Sequence, residues 1–136
     1  ARDQLENEFI LLWGDDYHPI SYSSLVNSHR QNNALLTMTV TEKHQSMNLR
    51  YENGKVIEYN KSSPSKNFNG YEAGTSMVQK SIVLEHGKEG HWSWENTIYP
   101  TLSNKIHVHL DSTRFWDMGT PERLEKLDQF LNETRT

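Results

Sequence analysis

The sequence predicts an α/β fold, with a mixed, mainly parallel sheet and flanking helices. A continuous apolar run from Glu8 to Trp13 has the length and composition of a parallel strand buried on both faces. Ser21 is a suitable N-cap for a helix over Tyr22 to Asn32, and Ala34 to Thr41 is rich in the Leu, Thr and Val of a second strand. A strand, a helix and a strand in this order predict a right-handed parallel crossover.

A β-hairpin is the clearest local prediction in the middle of the chain. Asn53 and Gly54 separate two strand-like segments, Leu49 to Glu52 and Lys55 to Tyr59. Both turn residues accept the positive φ that a two-residue hairpin loop requires. Residues 60–70 have the composition of a loop.

The second half of the chain alternates predicted strands and helices. They are a strand over Tyr71 to Met77, a short helix near Gln79 to Glu85, a helix capped by Ser93, strands over Lys105 to Leu110 and Ser112 to Trp116, and a last helix with Thr120 as its cap and Pro121 at its first position. Residues 1–7 look like the tail of a helix.

Composition limits the classes of protein that the chain could represent. The 136 residues suit one domain over residues 1–136, and a net charge of −4 argues against nucleic acid as the main partner. Because there is no cysteine, disulfides and thiol catalysis are excluded. No apolar run is long enough to span a membrane and the first residues do not resemble a secretory signal, so we expect a cytoplasmic protein.

Two acidic turns are the candidate functional sites. The first apolar run ends in Gly14, Asp15 and Asp16, and Asp117 follows Phe115-Trp116 near the end of the chain. If both strand ends open on one cleft, Asp15 and Asp117 could share a divalent cation, because carboxylate oxygens suit Mg²⁺. Asp16 is interpreted mostly as a turn residue.

Five short motifs point to a known family. They are Leu12-Trp13-Gly14-Asp15-Asp16, Gly54-Lys55-Val56-Ile57-Glu58-Tyr59-Asn60-Lys61, Tyr71-Glu72-Ala73-Gly74, Trp94-Glu95 before Tyr99-Pro100, and Trp116-Asp117-Met118-Gly119-Thr120-Pro121-Glu122. In this order they resemble the sugar-1-phosphate nucleotidyltransferases, also called nucleoside-diphosphate-sugar pyrophosphorylases. The Tyr-Asn-Lys and Glu-Ala-Gly spellings are more similar to the heptose- and mannose-1-phosphate guanylyltransferase-like branch than to the glucose-1-phosphate thymidylyltransferases.

The resemblance implies a Rossmann-like (GT-A-like) nucleotidyltransferase domain and a reaction. A nucleotidyl group passes from an NTP to a sugar 1-phosphate, giving an NDP-sugar and pyrophosphate. Carried over to this sequence, Asp15 and Asp117 are the catalytic Mg²⁺ ligands, Lys61 contacts the sugar phosphate, and Glu72 with Gly74 lines the sugar pocket.

The sequence also departs from the family. Family members begin with a glycine-rich loop, followed by Arg and Leu, that wraps the NTP phosphates, whereas the seven glycines here are isolated. We therefore expect a carboxyl-terminal portion of the fold that lacks the amino-terminal nucleotide-binding β-α units and is inactive alone. Missing strands would leave an open sheet edge, which we expect a partner chain, most economically a second copy, to cover. The alternative is a non-catalytic remnant that binds a sugar phosphate or another protein.

Several of these residues also have plainer interpretations. Lys61 suits a solvated loop charge, and Glu72 inside a strand costs burial free energy unless a hydroxyl, a cation or water meets it. Three tryptophans could stack on a sugar or belong to the core: Trp92, Trp94 and Trp116.

Histidines offer one further alternative. His107 and His109 are two apart on a predicted strand, so both could face one Zn²⁺ or Cu²⁺, although the sequence indicates no third ligand. Four others are expected at the surface: His18, His44, His86 and His91.

Overall fold

A computed structural model describes residues 2–135 and contains a six-stranded mixed sheet with helices on both faces. A 3₁₀ turn over Arg2–Gln4 precedes the first strand. The elements are β1 (Glu8–Leu12), β2 (Asp16–Tyr17), α1 (Tyr22–Gln31), β3 (Leu36–Thr41), β4 (Leu49–Glu52), β5 (Lys55–Tyr59), β6 (Tyr71–Gln79), α2 (Lys80–His86), α3 (Trp94–Thr101), β7 (Ile106–Leu110), β8 (Trp116–Asp117) and α4 (Pro121–Thr134). The predicted α/β class and mixed sheet are confirmed.

The sheet is mostly antiparallel, so the predicted predominance of parallel pairing is wrong. The strand order is β1-β6-β3-β7-β5-β4, and of these neighbours only β3 and β7 run parallel. The reason is the insertion of β6 between β1 and β3. These two strands point in the same direction, as a crossover through α1 requires, but each pairs antiparallel with β6.

Strand β1 lies at an edge of the sheet and not in its interior. Its first four residues are half-buried, and the Leu12 side chain is 52% exposed. One edge of β1 therefore has no strand partner among the described residues. The prediction of burial on both faces is wrong because it took apolar composition as a sign of a central strand.

Strand β3 is the centre of the domain. All six of its residues are buried. Leu36, Met38 and Val40 belong to the core cluster that includes residues of α2 and α3, whereas Thr37 accepts or donates a 2.9 Å hydrogen bond with His29 of α1. Helices therefore cover both faces of the sheet.

Local signals predicted the turns and helix starts correctly. Asn53 and Gly54 have φ of 51° and 73°, as the predicted hairpin requires. Ser21, Ser93 and Thr120 each accept a hydrogen bond from a backbone N–H in the first turn of the helix that follows.

Three smaller predictions are corrected. The predicted strand over Ser112 to Trp116 is reduced to β8, because the Asp111 carboxylate accepts the Thr113 N–H at 2.7 Å and turns the chain. The described part of the predicted amino-terminal helix tail is a 3₁₀ turn; Ala1 lies outside the described residues. His18 was expected at the surface but is buried, with its Nδ1 atom 2.9 Å from Thr75 Oγ1, and burial lowers the pKa of its ring.

No described helix has the length and apolar character needed to cross a membrane.

Candidate functional site

A two-stranded ribbon of β2 and β8 brings the two acidic turns together. After β1 the Trp13 N–H continues the ladder by donating to Gly74 O, and the Asp16 N–H then closes a turn by donating to Trp13 O. Asp16 pairs directly with Asp117 across the ribbon, and the Met118 N–H donates to Asp15 O at 2.6 Å. The backbone thus places Asp15 and Asp117 as neighbours.

Gly119 marks the point at which the two carboxylates approach each other. A Cβ added to Gly119 would lie 3.0 Å from Asp117 Oδ1 and 3.4 Å from Asp15 Oδ2. The Gly119 N–H also donates to Asp117 Oδ1 at 2.7 Å. A side chain at this position would enter the space between the two acids.

Asp16 adds a third carboxylate to this cluster. Burial, followed by the negative charges of Asp15 and Asp117, raises the pKa of Asp16 to about 6, and the Lys61 ammonium opposes this shift. Asp15 and Asp117 therefore lie close enough for their charges to act on Asp16, in addition to the larger effect of burial. Asp16 is therefore part of the site, although the sequence indicated only a turn residue.

Within the described chain, Asp117 is the one aspartate of this cluster that forms an ion pair. Arg123, in the first turn of α4, donates to Asp117 Oδ2, and both side chains are substantially exposed. Neither Asp15 nor Asp16 has a side-chain hydrogen bond within residues 2–135. Their oxygen atoms are free to accept a ligand.

All of the sequence-predicted site residues line one cavity of about 510 Å³. We call it the acidic cavity and define it by Asp15, Asp16, Lys61, Glu72, Gly74 and Asp117. Lys61 Nζ lies 3.2 Å from Glu95 Oε1. Burial would lower the Lys61 pKa, but the carboxylates of Glu95 and Glu72 outweigh it and raise the pKa.

Gly74 is required by both conformation and space. Its φ of +81° is one that residues with a side chain rarely adopt, and an added Cβ would press on the Asp16 carboxylate and lie 2.9 Å from Trp13 Cδ1. The bare backbone of Gly74 thus lets Trp13 and Asp16 approach β6.

Glu72 is held by the protein itself. Its Oε1 accepts hydrogen bonds from the Tyr99 hydroxyl and from Trp13 Nε1 at 3.4 Å, and its Oε2 accepts from the Tyr59 hydroxyl at 3.0 Å. Burial raises the Glu72 pKa, although the two tyrosine hydrogen bonds oppose the shift. The expected need for a sugar hydroxyl, cation or water is therefore met largely by aromatic donors.

These donors are not evident from the sequence. Tyr59 and Tyr99 lie in β5 and α3, and nothing in the local pattern of either segment marks a partner for Glu72. Trp92 and Trp94 do line the acidic cavity, with ring centroids 6.1 Å apart. Trp116 does not, because its ring stacks on Phe130 of α4 at 4.7 Å.

The aspartate cluster offers carboxylate oxygens but not a complete set of metal ligands among the described residues. Among residues 2–135 there is no group of three or more His, Asp or Glu side chains with a metal-binding arrangement. This leaves the zinc alternative at His107 and His109 without a third ligand. Mg²⁺ differs, because one or two carboxylates plus water and substrate phosphates are enough.

The mixed α/β fold of this chain is shared with solved structures, one of which is named as a putative sugar-1-phosphate nucleotidyltransferase. HddC from Yersinia pseudotuberculosis superposes with a TM-score of 0.77 at 20% identity, covering 96% of this chain. A putative glucose-1-phosphate thymidylyltransferase from Bacillus anthracis gives 0.75 at 13% identity and 95% coverage. A UTP-bound UGPase from Acinetobacter baumannii gives 0.71 at 10% identity and 93% coverage.

The chain corresponds to only part of these structures. It covers 59% of the HddC chain, 56% of the thymidylyltransferase and 51% of the UGPase. No protein-family model matches the sequence, and no curated protein matches it. At these identities the likeness establishes the fold, and the activity remains a matter for proposal.

Proposed function

We propose that this chain forms the sugar-phosphate and metal side of a sugar-1-phosphate nucleotidyltransferase. The reaction is transfer of a nucleotidyl group from an NTP to a sugar 1-phosphate, with release of pyrophosphate. The observation that carries the proposal is the approach of Asp15 and Asp117 at Gly119, within a cavity that also contains Lys61. The resemblance of the sequence motifs to the family supports it independently.

The charged residues of the acidic cavity have two proposed roles, metal binding and phosphate binding. Asp15 and Asp117 would hold Mg²⁺, which when bound neutralises the charge of the reacting phosphates. Lys61 would bind the sugar phosphate, and the carboxylate of Glu95 favours its protonated form. Lys61 is the one cationic side chain among the described residues that line this cavity, so it would be the positive contact for the substrate phosphate.

The sugar would lie between β6 and the start of α3. Glu72 and Gly74 line this part of the cavity, together with Trp92 and Trp94. Because Glu72 already accepts from three aromatic side chains, we propose that it mainly fixes the shape of the sugar pocket. Tryptophan rings supply the flat apolar surface on which a sugar ring can stack.

The nucleotide side would come from chain outside these residues. The described glycines build no phosphate cradle, so activity would require a glycine-rich loop in an additional segment or a partner. The open edge of β1 is where an additional strand would dock, and a second copy is the simplest partner. A guanine nucleotide is favoured by the motif spellings and by the similar HddC, whose structure was also solved with GMP-PN.

Pyrophosphate release tests this function. The chain, supplied with an amino-terminal nucleotidyltransferase half, would be incubated with Mg²⁺, GTP and a panel of hexose and heptose 1-phosphates. We expect turnover that Asp15→Asn and Asp117→Asn each abolish and that the exposed control Asp3→Asn leaves unchanged. Unaltered turnover in either cavity variant would overturn the metal assignment.

Calorimetry separates the enzyme from the non-catalytic alternative. Titration of the chain alone with a sugar 1-phosphate, with and without Mg²⁺, measures the half-site directly. Binding that depends on Mg²⁺ and on Lys61, without turnover in the complemented assay, would favour a sugar-phosphate-binding remnant. Absence of both binding and turnover would remove the proposal.

A further inference from the structure

A second cavity, of about 580 Å³, lies beside the acidic cavity. The two share a wall that contains Tyr71, Phe115 and Asp117. We call the second one the basic cavity and define it by Lys43, His44, Arg114 and Arg123, which line it. None of these four side chains has a role in the proposed nucleotidyl transfer.

Positive charge is in excess in this cavity. Neither Lys43 nor Arg114 has a carboxylate within ion-pair distance in the described part of the chain. The Arg114 guanidinium instead lies over the Trp116 ring, 3.6 Å from its centroid. Asp117 is the one acidic side chain among the described lining residues, and Arg123 already pairs with it.

This excess contrasts with the whole protein, whose net charge is −4. Two unpaired cations gathered around one concavity raise its local potential, and a wall of protein reduces the screening by solvent. Such a site selects an anion. Guanidinium groups present paired N–H donors that match the oxygens of a phosphate.

The walls of the basic cavity are ordered by aromatic stacking. The His44 ring lies on the Tyr71 ring with centroids 3.7 Å apart, and the Phe115 ring is parallel to Tyr71 at 5.7 Å. Thr41, Ser112 and Thr113 are also in the lining. The volume is sufficient for a sugar or nucleoside next to its phosphate.

We propose that the basic cavity binds a phosphorylated small molecule whose phosphate is held by Lys43, Arg114 and Arg123. This site adjoins the acidic cavity at Asp117, with which Arg123 forms an ion pair, but the proposal does not depend on the proposed reaction.

The test is a calorimetric titration of the full chain with inorganic phosphate, at low salt and without divalent cations. We expect Lys43→Gln and Arg114→Gln each to weaken phosphate binding about tenfold, because each removes a charge-assisted contact. Arg114→Lys should keep most of the affinity, which separates loss of charge from loss of packing on Trp116. The exposed loop variant Lys66→Gln is the matched control and should bind as the parent does.

Lys61→Gln distinguishes the two cavities. If Lys61→Gln binds phosphate as tightly as the parent does and Lys43→Gln binds it more weakly, the anion lies in the basic cavity. Loss in Lys61→Gln with no change in Lys43→Gln and Arg114→Gln would place it in the acidic cavity and overturn the proposal, as would no binding at millimolar phosphate. Because no Mg²⁺, NTP or sugar 1-phosphate is present, failure here leaves the proposed transferase function standing, and the reverse also holds.

Discussion

Glu72 and the aspartate cluster of Asp15, Asp16 and Asp117 are carboxylates of one cavity with opposite surroundings. Glu72 is buried and accepts hydrogen bonds from two tyrosine hydroxyls and an indole N–H. Asp15 and Asp16 have no side-chain hydrogen bond in the described structure, and the Asp16 pKa is raised partly by its acidic neighbours.

The contrast separates a carboxylate whose hydrogen-bonding capacity is met inside the fold from two carboxylates that have no side-chain partner in the described structure. Three internal donors compensate Glu72 for its lost hydration, so the fold depends on it. For Asp16, burial and then the charges of Asp15 and Asp117 disfavour the ionised form, which is the opposite of a carboxylate supplied with internal donors. Carboxylates of a single cavity therefore differ in how far the fold satisfies them.

Removal of Glu72 should have the largest effect on stability. Glu72→Ala would leave the hydroxyls of Tyr59 and Tyr99 without their acceptor inside the protein. Each buried donor left unsatisfied costs about 1–3 kcal/mol, so the two together should cost about 3–5 kcal/mol. Urea unfolding at pH 7 measures the loss. Glu89→Ala, at an exposed loop position, is the control and should change the free energy of unfolding little.

A conservative substitution sharpens this result. Glu72→Gln keeps the shape and one acceptor oxygen, and a tyrosine hydroxyl can rotate to accept from the new amide. We expect a cost of about 1–2 kcal/mol, well below that of the alanine variant. Equal losses in the two variants would mean that the shape kept by glutamine contributes little, and that the second carboxylate oxygen is what the aromatic donors require.

The sequence predicted the locally determined parts of this architecture. The Asn53-Gly54 hairpin and the caps at Ser21, Ser93 and Thr120 depend on a few adjacent residues, and all are present. The position of β6 between β1 and β3 could not be predicted, because it depends on pairing between distant segments. An apolar run such as β1 has the same composition at an edge as in the centre of a sheet.

The candidate site was predictable to a similar extent. Family-like motifs selected Asp15, Lys61 and Asp117, and the structure gathers them along one cavity. Asp16 was missed because a turn next to Gly14 explains an aspartate without a ligand. Tyr59 and Tyr99 were missed because a tyrosine hydroxyl finds its acceptor through tertiary packing, which no spacing rule records.

Gly74 lies between the two groups of carboxylates, on the strand that carries Glu72 and against Asp16. Gly74→Ala combines backbone strain at φ +81° with crowding against Trp13 and Asp16. Gly90 is a matched control, because its φ is +77° and no atom lies within 4 Å of an added Cβ. We expect Gly90→Ala to cost about 1 kcal/mol and Gly74→Ala about 2–3 kcal/mol in urea unfolding. Equal losses of stability in Gly74→Ala and Gly90→Ala would show that Trp13 and Asp16 move aside for the added methyl group without destabilising the fold.

Asp16→Asn should have the smallest effect and the most distinctive pH dependence. The folded-state pKa of Asp16 is about 6 against an ordinary value of 3.8. Below about pH 3.8 the carboxyl is protonated in both states and contributes nothing. As the pH rises to 6 the unfolded chain loses this proton first, so the destabilisation grows and is complete above pH 6.

Asparagine removes this cost at neutral pH. A shift of this size corresponds to about 3 kcal/mol for a fully buried group, and partial exposure of Asp16 reduces the expected gain to about 1 kcal/mol. Urea unfolding should therefore show Asp16→Asn to be more stable than the parent at pH 7 and equal to it at pH 3, with Asp3→Asn unchanged at both. An equal gain at the two pH values would assign the effect to packing. Asp16 would then resemble Glu72 as a structural side chain, and the proposed cation site would lose the support that the raised Asp16 pKa gives it.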